Sequence, residues 1–155
     1  MLSEKKLDFK LVIVGKKNYK FNSLIKRFKQ SESVVYLNFV SFNDLLNLYK
    51  CAKLFVFPSL YEGFGFPPLE AAVFGVPSVV SDVASIPEIC GEGALYFNPT
   101  NKEEMKEKIL QLLTDENLYN QYKFKAKKNL ERFSWINNAK KTRELYNLVT
   151  KDEKN

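Results

Sequence analysis

Histidine is absent from the 155-residue sequence. That removes the commonest general base and the commonest metal ligand together. Cysteine occurs only as Cys51 and Cys90, and two unclustered thiols make no disulfide framework. A reducing cytoplasm is therefore the expected compartment. Long apolar runs are missing as well: none approaches the roughly 18 residues that a membrane span needs. The start, MLSEKKLDFK, has no apolar stretch of the signal-peptide kind, so none is expected. Neither repeats nor low-complexity linkers divide the sequence, so residues 1–155 are expected to form one domain.

What is present suits an ordinary soluble fold: 45% hydrophobic and 27% charged residues. The net charge of +6 is uneven. Residues 1–50 carry ten Lys/Arg against four Asp/Glu, residues 51–100 one against five, and residues 101–155 thirteen against nine. An acidic centre argues against a nucleic-acid partner, which would draw positive charge to its main site. The basic flanks can attract an anionic ligand or an anionic membrane surface, or can be a solvated lysine surface.

Short apolar runs alternate with helical patterns. FKLVIVG, VVYLNFV, KLFVFPS, PSVVSD and GALYF read as strands. NSLIKRFKQ reads as a helix. So does SFNDLLNLYKCA, capped by Ser41 or Asn43, with Leu45, Leu46 and Tyr49 on one face. PPLEAAVFG reads as a helix with prolines in its first turn and Gly75 at its end. From Thr100 onward the pattern is helical, with Thr100 and Glu103 as a capping box. Met105, Ile109, Leu112 and Leu113 share a face, and Leu118, Tyr122, Ala126 and Phe133 share the next. Ser134 caps a last helix whose Ile136, Ala139, Leu145 and Val149 are expected inward. The alternation predicts an α/β fold: a doubly wound, Rossmann-like parallel sheet. Ligands of such folds sit beyond the carboxyl ends of the strands.

SLYEGFGFPPLEAAVFG occupies that place, just after the third strand. Gly63 and Gly65 let a ligand approach the main chain closely. Pro67 and Pro68 preset a helix start, where the N–H groups of Leu69, Glu70 and their neighbours would make a seat for phosphate. Phe64, Phe66 and Leu69 would wall it from water. Glu70, in the first turn, can accept hydrogen bonds from a diol such as a ribose, and Glu62 can reach the hydroxyls of a second sugar. Two other readings stand beside this one. Glycine and proline are usual punctuation at a strand-to-helix turn, and paired carboxylates also occur in glycoside hydrolysis.

The wider stretch FVFPSLYEGFGFPPLEAAVFGVPSVVSDVASIPEICGEGALYFNP resembles the carboxy-terminal domain of the GT-B glycosyltransferases of family 4. The Glu-x7-Glu pair is that family's signature. Gly75 to Ser81, Ile86 to Ala94 and Phe97 to Pro99 match its following strand and loop patterns, and FSWINNAKKTRELY its closing helix. GKKNYKFNSLIKRF looks like the family's bacterial mannosyltransferase-like members. The resemblance implies retaining transfer of a sugar from a nucleotide-diphosphate sugar, in surface polysaccharide or lipopolysaccharide assembly, with no metal and no other cofactor. Glu62 would match the first, catalytic glutamate, near the donor sugar. Gly63, Phe64, Gly65 and Phe66 would match the loop facing sugar and phosphates, Glu70 the ribose ligand, and Val40 and Ser41 the neighbours of the base.

The sequence also departs from the family pattern. The acceptor domain and the first strand of the donor domain, with its basic loop, have no counterpart here. Lys16 and Lys17 follow a different strand and do not replace that loop's cations. The expectation is the C-terminal half of a GT-B enzyme with its first strand missing, inactive alone, and prone to pair two copies through the exposed sheet edge. A non-catalytic nucleotide-binding or interaction module on the same fold is the alternative.

Overall fold

The computed structural model describes residues 9–16 and 31–152. The helix expected over NSLIKRFKQ, and Lys17, lie outside the described residues. The chain divides into two compact units, Met1–Cys51 and Ala52–Asn155.

In the first unit, β1 (Leu11–Val14) pairs in parallel with β2 (Val34–Leu37), Leu11 opposite Val34 and Val14 opposite Leu37. The Tyr36 hydroxyl donates to the Gly15 carbonyl at 2.7 Å and fixes the end of β1. Helix α1 (Phe42–Cys51) follows. Its cap is Ser41, as expected: the hydroxyl accepts from the Asp44 amide at 3.1 Å and donates to the Asp44 carboxylate at 2.6 Å. Leu45 and Leu46 are half-buried and Tyr49 is buried, on the predicted face.

The second unit carries β3 (Phe55–Phe57), β4 (Ser78–Ser81) and β5 (Ala94–Phe97), all parallel, in the order β3-β4-β5. Between and after them run α2 (Phe66–Val73), α3 (Ile86–Cys90), α4 (Lys102–Thr114), α5 (Glu116–Asn129) and α6 (Trp135–Asp152). Every residue of the central β4 is buried, which explains its unbroken run of small and apolar side chains. Alternate residues serve opposite faces. Val80 packs with Ala94, Ile86 and Cys90, flanked by Phe57 and Tyr96. Val79 packs with Phe97 and Leu112, flanked by Met105, Ile109, Leu118 and Tyr122. Helices thus cover both faces of the sheet, the double winding that the strand–helix alternation implies.

Three expectations change. Ile86 to Ala94, read as a loop pattern, holds α3 and a 3-10 turn, Gly91–Gly93. Pro87 in the first turn of α3 presets its φ, and Ile86, Ile89 and Cys90 bury its inner side. The cap of α4 is Asn101 rather than Thr100: the Asn101 side chain accepts from the Glu104 amide at 3.1 Å. Asn98 accepts from both the amide and the hydroxyl of Thr100, at 2.9 and 2.7 Å, which holds Thr100 in the preceding turn. The third change concerns α6. Ser134 accepts from the Asn137 amide at 3.3 Å, yet Ile136, Ala139, Leu145 and Val149 are exposed, not inward. Helical spacing assigns residues to one face but does not supply a surface to cover it.

Side chains tie α3 to the end of α5. Asn129 Nδ2 donates to the Ile89 carbonyl at 2.9 Å, and an Arg132 amine to the Glu88 carbonyl at 3.0 Å. Arg132 also donates to Asn129 Oδ1 at 2.8 Å. The carbonyls of Glu88 and Ile89, in the last turn of α3, are thereby satisfied.

Burial pushes the Cys90 thiol up to about 11 from its ordinary 9.0. Its folded value lies above its unfolded one. The stability it contributes is therefore whole below about pH 9 and is lost as the pH rises through 11. Cys90→Ala is expected to flatten the decline of unfolding free energy between those two pH values. Urea titrations of both proteins at a series of pH values measure this, and parallel declines would refute it.

Candidate functional site

The start of α2 sets the site. Gly65 precedes the helix with φ 97° and ψ 54°, the left-handed region, and is buried. An L side chain there would cost about 1–2 kcal/mol. Phe66, Pro67 and Pro68 form the first turn. A helix leaves its first four N–H groups without intrahelical partners. Here those positions are Gly65, Phe66, Pro67 and Pro68, and the prolines have no N–H. Only Gly65 and Phe66 bring free donors to this end.

The helix therefore starts one residue before the prolines. Because the left-handed Gly65 turns the chain early, Glu70 is the fifth residue of α2, and no acidic residue lies in its first turn. The macrodipole falls off within one turn, so it does little for this carboxylate. The amides of Leu69 and Glu70 bond inside the helix and are not part of a phosphate seat. Leu69 is also buried in the core, at 9% exposure. The apolar wall is instead Phe64 and Phe66, with ring centroids 4.5 Å apart, and Phe133 set edge-on to Phe64 at 6.1 Å.

Glu62 lies half-buried in the preceding loop. Ser59 donates to its Oε1 at 2.7 Å, which aims the carboxylate. Ser85, which follows β4 in the chain and precedes α3, reaches the same loop. Its hydroxyl lies 3.0 Å from the Glu62 carbonyl oxygen and 2.9 Å from that of Phe64. The sequence does not mark Ser59, Ser85 or Phe133 as site residues; Phe133, expected on a helical face, instead lies beyond the end of α5. Ser59 has a local signal, three residues before Glu62. Ser85 and Phe133 have no local signal that ties them to the loop, because the fold alone brings them there.

The loop Glu62 to Phe66 and Glu70, on the exposed side of α2, are thus built by adjoining segments of the second unit. Val40 and Ser41 belong to the first unit, where the Ser41 hydroxyl is engaged in the α1 cap. A groove of about 690 Å3 opens at the carboxyl ends of β4 and β5, lined by Leu60, Asp82, Tyr96, Asn98, Thr100 and Glu104 among others. Neither Glu62 nor Glu70 lines it. Among the described residues, no three His, Cys, Asp or Glu side chains are grouped to hold a metal ion. Nor is any described helix long and apolar enough to cross a membrane.

Known proteins share both sequence and fold with this chain. O-antigen chain mannosyltransferase B of Escherichia coli is 34% identical over 149 residues, 94% of this chain and 39% of that protein. The serotype-specific mannosyltransferase WbdA of Escherichia coli is 41% identical over 106 residues, 68% of this chain and 13% of that protein. The chain therefore spans well under half the length of these relatives. Anabaena Alr3699/HepE, solved in complex with UDP, superposes with a TM-score of 0.80 at 19% identity, over 94% of this chain and 43% of that one. Sucrose-phosphate synthase from Thermosynechococcus elongatus superposes with a TM-score of 0.77 at 21% identity, over 92% of this chain and 39% of that one. The fold is the α/β fold of the C-terminal half of GT-B glycosyltransferases. A family model described as glycosyl transferases group 1 matches residues 1–129, and the chain belongs to that family.

Proposed function

We propose that this chain is the donor-binding part of a retaining, family 4 hexosyltransferase that takes its sugar from a nucleotide diphosphate. The observation that carries the reading is the Glu62–Glu70 segment: a glycine loop with free amides at Gly65 and Phe66, between two carboxylates, in a chain of this family. Glu62 faces the donor sugar, the amides of Gly63 to Phe66 face sugar and phosphate, and Glu70 holds the ribose diol. The O-antigen mannosyltransferase relatives support a role in bacterial surface polysaccharide synthesis, and the proposed location is the cytoplasm. The chain spans 39% of O-antigen chain mannosyltransferase B, and these 155 residues are proposed to hold the donor without supplying the acceptor groups that transfer requires. The proposed chemistry uses no metal, as the family resemblance implies, and the Gly65 and Phe66 amides contact the phosphates without neutralising their charge.

Calorimetric titration with a panel of UDP-, GDP- and ADP-sugars tests the reading. One member of the panel is expected to bind, and Glu70→Ala is expected to weaken it by about 1.5–3 kcal/mol, the worth of hydrogen bonds to a charged group. Unchanged affinity in the variant would remove Glu70 from the site. Binding without transfer, even in the full-length enzyme, would favour a nucleotide-binding module.

A further inference from the structure

We propose that Ser85 is a positioning residue for donor binding: its hydroxyl locks two peptide planes of the Glu62–Gly65 loop so that the Gly63 and Gly65 amides face the donor. The proposal rests on the donor-binding reading above.

The argument starts from one hydroxyl and two carbonyls. Ser85 Oγ lies 3.0 Å from the Glu62 oxygen and 2.9 Å from the Phe64 oxygen, so its single proton is shared between them. A trans peptide is planar, and its C=O and N–H point in opposite directions. Holding the Glu62 carbonyl toward Ser85 therefore turns the Gly63 N–H away from it. Holding the Phe64 carbonyl does the same for the Gly65 N–H. Two alternate amides are thus aimed to one side of the loop. Neither donates to another group among the described residues.

Glycine makes this lock necessary. Gly63 and Gly65 leave the loop with more backbone freedom than any other residue would. A Cβ at Gly63 would meet nothing within 4 Å, so packing does not restrain that position. The restraint must come from hydrogen bonding, and Ser85 supplies one hydroxyl forked between two carbonyls of the loop. The Ser85 backbone is itself held in place at some strain: Ala84, the residue before it, has φ 50°, rare for a residue with a Cβ. The Ile89 amide also donates to the Ser85 carbonyl at 3.0 Å, anchoring Ser85 to α3. Ser59, by contrast, orients only the Glu62 carboxylate. The side chain and the main chain of the loop are therefore set by different hydroxyls.

Three variants separate this role from bulk stability. Ser85→Ala and Ser85→Val remove the hydroxyl, with and without loss of volume, and Ser85→Thr keeps it. In 15N relaxation measurements on the free protein, order parameters at Gly63, Phe64 and Gly65 are expected to fall from about 0.85 to below about 0.6 in the first two variants. They are expected to stay high in Ser85→Thr, and the β4 amides are expected not to change in any variant. In titrations with the nucleotide-sugar panel, Ser85→Ala is expected to lose at least tenfold in affinity. The matching nucleoside monophosphate, held through the ribose, is expected to bind within twofold of the parent. Unchanged loop order parameters would overturn the proposal, as would a loosened loop with unchanged nucleotide-sugar affinity. A parent protein that binds none of the panel would sink the donor-binding reading, while the relaxation arm still decides whether Ser85 holds the loop.

Discussion

Phe97→Ala is expected to lower unfolding free energy by about 3–5 kcal/mol, the usual cost of emptying a fully buried aromatic site. Phe97 is 1% exposed and ends β5, packed with Val79 and Leu112 under Leu118 and Tyr122. The surrounding groups come from β4, α4 and α5, so no single element can shift to fill the void. The loss is large against a total stability of about 5–15 kcal/mol. Urea unfolding at neutral pH measures it, with Phe64→Ala, on the exposed wall, as the comparison. A change of about 1 kcal/mol or less at Phe97 would mean that the cluster closes over the gap.

Gly93→Val is expected to cost about 1–3 kcal/mol by overpacking, near the upper end. A Cβ at Gly93 would lie 3.0 Å from Ala126 Cα and 3.3 Å from Asn129 Cβ. The nearest obstruction is backbone of α5 and cannot rotate aside. Pushing α5 away would also draw Asn129 and Arg132 off the carbonyls of Ile89 and Glu88. The expected signature is a lower Tm together with faster amide exchange in α3. Gly15→Ala is the control, since a Cβ there meets nothing within 4 Å. Equal effects at the two positions would contradict the close approach.

Much of this was legible in the residue order, for stated reasons. The run Ser78–Ser81 is buried on both faces, so it had to be continuously non-charged. Helices α4 and α5 show their inner faces by spacing, and Ser41 and Ser134 cap where a hydroxyl meets a helical pattern. The parts that escaped depend on single torsions or on distant chain. Whether Glu70 falls in the first turn turns on the φ of Gly65, which the letter G permits without specifying. Asn101 displaces Thr100 as a cap because Asn98 holds Thr100 back. Ser85 lies 23 residues beyond Glu62, and no local pattern announces their contact. For α6 the helix itself was legible, but the inward placement of Ile136, Ala139, Leu145 and Val149 was not, because all four are exposed.

Pro67 and Pro68 bear on hydration as well as on geometry. The start of an ordinary helix keeps four N–H groups wet, and a ligand must strip water from each of them. At α2 the prolines remove two of those donors, and what lies beside the loop is aromatic carbon from Phe64, Phe66 and Phe133. Such an end is expected to hold less water than an ordinary helix start. An arriving oxygen has only the amides of Gly65 and Phe66 to dehydrate at the helix itself, and it repays both at once by accepting from them.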